Sequence, residues 1–254
     1  QESKNAGFDA VKFQKRTIEI VYSPEELAKP RPNFYGETNG DLKRGLEFDE
    51  ADYKEIDAFC RNLDIHWFAS PWDVPSIGFL EKFNVVAHKV ASACMTDRAL
   101  LKALNETGKP IFMSTGMSSL EQIDAAVKEI DNSRLILMHT VSVYPAKPEQ
   151  LNLAWIGTLK NRYPHLPIGY SGHEVGVSPS VIAVAKYGAT CVERHVTLDR
   201  SMWGSDQSAS LEPDGMKRVV GYIRSIPVVS GGGEKRVLDE EVPISAKLRR
   251  VTDF

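Results

Sequence analysis

Only three cysteines, Cys60, Cys94 and Cys191, occur in the 254 residues, and none forms a CxxC pair. An odd, widely spaced set argues against a disulfide framework and points to free thiols in a reducing cytoplasm. No apolar run approaches the ~20 residues that span a bilayer, and no signal peptide is visible. A net charge of −3 gives no general attraction to nucleic acid or an anionic membrane. No HExxH or Cys-His cluster supports a structural zinc, and Ser142, Ser171 and Ser208 lack the G-x-S-x-G elbow of a serine hydrolase. Gly231–Gly233 precedes no Gly-Lys-Ser/Thr, so it reads as a flexible connection and not a phosphate loop.

What is present is an α/β alternation. Pro167–Tyr170 and Thr190–Val192 are apolar runs too short for helices. Between them Ser178-Pro179 opens an amphipathic segment that Gly188 closes, the expected helix start and stop. A helix crossing between two strands makes them parallel. His173 lies just past the first strand and His195 ends the second. Both imidazoles therefore fall at carboxyl ends of neighbouring strands, where α/β proteins place their chemistry.

The same reading along the chain predicts seven strands, at 8–14, 66–70, 85–92, 110–114, 135–140, 167–170 and 190–195. Gln1–Gly7 reads as the tail of a helix. Asp49, Thr96 and Ser118 (with Glu121) are the expected helix caps, and Pro213 starts a last helix. Residues 15–48 are rich in Pro and Gly and weakly periodic, which predicts an irregular functional or mobile segment. Eight strands close a barrel and seven do not. The expectation is a (β/α)8 TIM barrel whose first strand is missing from this chain and precedes Gln1. An open doubly wound sheet is the alternative, less favoured without a Gly-rich dinucleotide turn. Residues 1–230 would form the barrel, and 231–254 a connecting segment.

On a barrel, one rim collects Lys12, Gln14, Ser70, Lys89, Ser92, Ser114, Ser142, Tyr144, Ser171, His173 and His195. Ammonium and hydroxyl groups facing one cavity suit a small ligand bearing phosphate or carboxylate. A strand-end lysine also suits a Schiff base, and each serine alone suits a turn or cap. Two neutral imidazoles would suit a divalent metal at an open catalytic site.

DAVKFQ (9–14), HKVAS (88–92), GKPIFMSTGM (108–117), SVYP (142–145), GYSGHE (169–174), ERHVTLD (193–199) and GSDQSASLEP (204–213) together resemble the catalytic domain of the sialic acid synthase family. These stretches cover most of the chain in the family's order. The resemblance implies condensation of phosphoenolpyruvate with an N-acylated six-carbon sugar, giving a nine-carbon 2-keto-3-deoxy acid and phosphate. It also implies a (β/α)8 barrel, a divalent cation (Mn2+ or Mg2+) and a homodimer, while cysteine usage and charge give the expectation of a cytoplasmic protein that binds neither nucleic acid nor membrane. His173 and His195 would be the metal ligands. Lys12, Lys89, Ser92, Ser114 and Ser171 would hold phosphoenolpyruvate, with Ser70 nearby, while Gln14, Tyr144 and Asp206 would face the sugar.

Two departures concern the sugar. Cys94 stands where members using N-acetylmannosamine usually carry an acid, and Ser142 where several bacterial members have Asn. The acidic residue of the N-terminal strand and the small antifreeze-like C-terminal domain of the family are absent. A related synthase acting on a phosphorylated sugar would need an arginine-rich clamp, and none stands out in the sequence. A sugar-binding barrel without turnover is the non-enzymatic alternative.

Overall fold

The computed structural model describes residues 1–202, 204 and 206–251. Trp203, Ser205 of the GSDQSAS stretch and the last residues of the 231–254 segment lie outside them. The chain divides into two compact units, 1–223 and 224–254. The second carries the helix Glu241–Leu248, none of whose residues is buried.

The first unit is built on a seven-stranded sheet. Its strands are β1 (Ala10–Lys15), β4 (His66–Pro71), β5 (His88–Val90), β6 (Ile111–Ser114), β7 (Leu135–Thr140), β8 (Ile168–Gly172) and β9 (Val192–Arg194); β2 (Pro30–Asn33) and β3 (Gly36–Thr38) form a separate hairpin. The order is β1-β4-β5-β6-β7-β8-β9, and every neighbouring pair is parallel. Each expected strand is therefore present. The one expected over 85–92 shrinks to β5, because Ser92–Cys94 turns into a 3-10 helix.

The two faces of the sheet differ in chemistry, as a period of two demands. Ile111, Met113, Leu135, Leu137, Ile168 and Tyr170 point to the helix side. They pack with Leu100, Leu101 and Leu104 of the helix Arg98–Glu106 and with Ile156 and Leu159 of Trp155–Arg162. Tyr53, Cys60, Trp67, Leu80 and Val85 extend this layer beneath β1 and β4. Residues of the opposite parity, Lys12, Gln14, Phe68, Ser70, Lys89, Phe112, Ser114, Ser171 and Glu193, share the inner face through the register of the pairs. Phe68 and Phe112 stack there with ring centroids 5.4 Å apart. The sheet is curled: Lys12 on β1 and Glu193 on β9, at opposite ends of the strand order, approach to 3.5 Å.

Helix starts differ from expectation by about one residue. Asp49 caps Glu50–Asn62 as expected, but Asp97 and not Thr96 caps Arg98–Glu106. The capping box uses Ser119 with Gln122 and not Ser118 with Glu121. SSLEQ satisfies the S-x-x-E/Q pattern in both registers, so local sequence leaves the choice to packing. The 15–48 segment is not irregular. It forms short helices Ile18–Val21 and Pro24–Leu27, the β2–β3 hairpin and the helix Asn39–Gly45, capped by a Thr38–Asp41 box. Its two ends meet at Lys15, whose Nζ donates to the Phe48 carbonyl at 2.7 Å and pairs with Glu47 at 3.0 Å.

Candidate active site

The inner face concentrates charge at one point. Lys89 is 3% exposed, and its ammonium donates to Ser114 Oγ at 2.5 Å and to the Val90 carbonyl at 3.2 Å. Its counter-ion is Glu193, 3.8 Å away, whose other oxygen lies 3.5 Å from Lys12 Nζ and 3.5 Å from Ser171 Oγ. Burial pushes the Lys89 ammonium down to about 8, with Glu193 opposing the shift. Burial also raises the Glu193 carboxyl, but the charges of Lys12 and Lys89 outweigh it and hold the group at about 2. The direction that geometry supports is a charged triad, because each ammonium has the carboxylate within ion-pair range.

The serines divide by role. Ser114 and Ser171 join the triad directly. Ser92 Oγ accepts from the Gly116 backbone N–H at 3.1 Å, and Ser142 Oγ is buried with no hydrogen-bond partner among the described residues. Gly116 carries no Cβ for a plain reason: one there would stand 2.2 Å from Ser142 Oγ and 2.8 Å from Ser92 Oγ. Ser70 is 1% exposed and spends its donor on the Lys89 carbonyl at 3.0 Å, tying β4 to β5. Gln14 lies on the inner face, where its side-chain oxygen accepts from Arg16 Nη2.

The histidines meet as their strand positions predict. Their ring centroids are 5.2 Å apart, and Tyr144 packs on both, 4.1 Å from His173 and 5.8 Å from His195. His173 Nδ1 lies 2.7 Å from the Val141 carbonyl, which fixes the tautomer with the proton there and leaves the Nε2 lone pair available. Asp206 Oδ2 lies 3.6 Å from His195 Nδ1. Burial lowers both imidazoles, His195 to about 4 with help from the charge of Lys12, so both are neutral near pH 7. Neutral imidazole is the form that ligates a divalent ion. Among the described residues no three His, Cys, Asp or Glu side chains gather tightly enough to form a complete metal cage. His173 and His195 could hold a divalent ion as two ligands of an open site.

Sequence reading missed two features. Glu193 stands two residues before His195, on the same face by strand parity, and supplies the counter-ion that buried lysines need. Behind it, Arg194 points the opposite way into a buried network. Its guanidinium pairs with Glu174 at 3.0 Å and donates to the carbonyls of Glu174 at 2.5 Å and Gly176 at 2.7 Å. Tyr170 and Ser180 donate to the Glu174 carboxylate at 2.7 and 3.3 Å. One arginine thus fastens the segment after His173 to the strand that ends at His195. Cys94 is 6% exposed and packs in the core, with burial raising its thiol to about 11. All three cysteines are free thiols.

The profile of the NeuB family matches residues 1–235. Over 251 residues the chain is 36% identical to the N-acetylneuraminate-9-phosphate synthase of Mus musculus, covering 97% of this chain and 69% of that protein. It is 33% identical over 258 residues to the N,N'-diacetyllegionaminic acid synthase of Legionella pneumophila, covering 98% of this chain and 72% of the other. The N-acetylneuraminic acid synthetase of Leptospira borgpetersenii, solved with citrate, superposes with a TM-score of 0.81 at 29% identity, over 98% of this chain and 85% of that one. The family profile and the similarity of sequence and fold agree, and the chain belongs to the NeuB family.

Proposed function

We propose that this chain condenses phosphoenolpyruvate with an N-acylated six-carbon sugar to form a nonulosonic acid and inorganic phosphate. The observation that carries the reading is the convergence of Lys12 and Lys89 on one inner-face point beside two neutral histidines. In the reaction C3 of phosphoenolpyruvate bonds to the aldehyde carbon of the sugar. Water adds at C2, and phosphate leaves by C–O cleavage. Lys12 and Lys89, with the hydroxyls of Ser92, Ser114 and Ser171, would bind the phosphate and carboxylate of phosphoenolpyruvate. Glu193 keeps both ammonium groups charged until those anions arrive. Ser70 serves by holding β5 in place. Tyr144, Gln14 and Asp206 would orient the sugar. His173 and His195 would hold a divalent ion, which when bound supplies Lewis-acid polarisation of the aldehyde oxygen.

A (β/α)8 barrel belongs to the same proposal. The parallel order and the contact between β1 and β9 side chains support a sheet curled far enough for one more strand to close it. The test is phosphate release on mixing the protein, phosphoenolpyruvate and manganese with a panel of N-acylated hexosamines. Release that depends on the sugar supports the reading. Release from none of the sugars refutes it.

The names of relatives divide over the far end of the sugar: one product carries a 9-phosphate and the others do not. Three carbons added ahead of C1 turn C6 of a hexosamine into C9 of the product. A 9-phosphate therefore corresponds to a 6-phosphate on the acceptor.

A further inference from the structure

The β8–β9 ladder stops one residue short of both histidines, at the Gly172–Arg194 pair. Beyond that pair the spacing of His173 and His195 is left to side chains, and one buried guanidinium takes it up. Arg194 closes β9, and its side chain is wholly buried. Nη2 donates to the Glu174 carbonyl at 2.5 Å, and Nη1 donates to the Gly176 carbonyl at 2.7 Å and to Ser180 Oγ at 3.1 Å. The Glu174 carboxylate pairs with Nη1 at 3.0 Å. Glu174 directly follows His173, as Arg194 directly precedes His195. The planar fork therefore fixes residue 174 against residue 194, and with them the points from which the two imidazoles emerge, their ring centroids 5.2 Å apart.

The neighbouring sequence is fitted to this contact. A Cβ on Gly172 would stand 2.5 Å from Glu174 Oε2, so any side chain there would push the carboxylate away from the guanidinium. Gly176 has φ +91°, the left-handed backbone that brings its carbonyl to Arg194. The other ties on His173 come from the loop after β7: Ala146 N–H donates to its carbonyl at 3.0 Å, and its Nδ1 proton goes to the Val141 carbonyl at 2.7 Å. Arg194 supplies the tie from the β9 side. A gain in stability does not explain a buried pair of this kind, because apolar residues of like volume often fill such a space as well or better. What they cannot do is bond two backbone carbonyls in a fixed plane.

We infer that Arg194 is a positioning residue that holds His173 and His195 in the mutual placement a shared divalent ion requires. The inference rests on the reading of these histidines as metal ligands, but its deciding test needs neither metal nor turnover. Arg194→Lys keeps a cation opposite Glu174 and loses the fork. The imidazole resonances of the chelated protein, labelled with nitrogen-15 histidine, are read by NMR near neutral pH. The parent should show His173 as a single Nδ1–H tautomer. In the variant both tautomers should appear at His173 and the His195 resonances should shift, while His88, buried where β5 begins, stays as in the parent. Manganese binding, titrated by electron paramagnetic resonance, should weaken about 10-fold, with phosphoenolpyruvate binding to the chelated protein unchanged. Should Arg194→Lys not fold, Gly176→Ala carries the same test: its Cβ meets no atom within 4 Å but strains the φ that aims the carbonyl. Parental His173 and His195 resonances, or a His88 resonance that moves with them, would overturn the inference. Shifted resonances in a protein whose parent binds no manganese would leave the clamp standing and refute the metal reading.

Discussion

Glu193→Gln removes one negative charge from between two ammonium groups and keeps the side-chain volume. At 3.5 and 3.8 Å, each ion pair is worth about 4 kcal/mol in a medium of effective dielectric ~20. Desolvation of Glu193 offsets much of that, since only 16% of its side chain is exposed. Truncating one partner of a buried pair costs about 3–5 kcal/mol, because the other partner remains buried and uncompensated. Lys89, at 3% exposure, is that partner, while Lys12 at 17% can turn toward water, so the low end of about 3 kcal/mol applies. For a chain of this size that lowers the melting temperature by about 6–12 °C. Phosphoenolpyruvate brings its own anions to the same ammonium groups, so saturating ligand should raise the melting temperature of the variant more than that of the parent and narrow the gap. Differential scanning calorimetry with and without phosphoenolpyruvate measures both quantities. A variant that melts within 2 °C of the parent (roughly the effect of 1 kcal/mol), or a gap that phosphoenolpyruvate leaves unchanged, would refute the assignment of Glu193 as their shared counter-ion.

Other measurements probe other parts of the site. Because burial lowers the Lys89 ammonium to about 8, its proton leaves as pH rises through that value; phosphoenolpyruvate affinity should be about 10-fold weaker at pH 9 than at pH 7, and a flat profile would contradict this. His173→Ala and His195→Ala should each weaken manganese binding by on the order of 100-fold, read from the Mn(II) electron paramagnetic resonance signal, with far-UV circular dichroism unchanged. Undiminished binding in either variant would remove that residue from the ligand set. Gly116→Ala places a methyl 2.2 Å from Ser142 Oγ and 2.8 Å from Ser92 Oγ. Both hydroxyls can rotate away at little cost in stability, so the melting temperature should stay within about 3 °C while phosphoenolpyruvate affinity falls about 10-fold. Unaltered affinity would show that Ser92 is not a ligand contact.

The strands and the histidines were legible because each rests on a local rule. Parity along β8 and β9, with a capped helix between them, fixes where His173 and His195 emerge. The buried lysines were legible on the same ground, but Glu193 was not noticed beside His195, although parity alone assigns it to the same face and a buried ammonium requires a carboxylate. The order within 15–48 was not legible for a physical reason. Its helices are four to seven residues long, too short to show a period, and they are tied to distant groups by side-chain hydrogen bonds from Lys15 and Asn39. Arg194 escaped notice because an arginine facing the helix layer carries no signal until Glu174 is seen to be buried with it.

The tie at Lys15 has a consequence for how this enzyme type can change. The excursion leaves β1 and returns before the helix Glu50–Asn62 at nearly one point, held there by the Lys15 ammonium on Glu47 and Phe48 and by the Arg16 backbone N–H on Glu47. A segment whose ends already lie together can be lengthened, shortened or exchanged at small entropic cost, without moving the strand that carries Lys12. Lys12, Lys89 and Glu193 sit on the sheet, and the excursion lies outside it. The excursion is thus a part that can be exchanged while the strand that carries Lys12 stays in place.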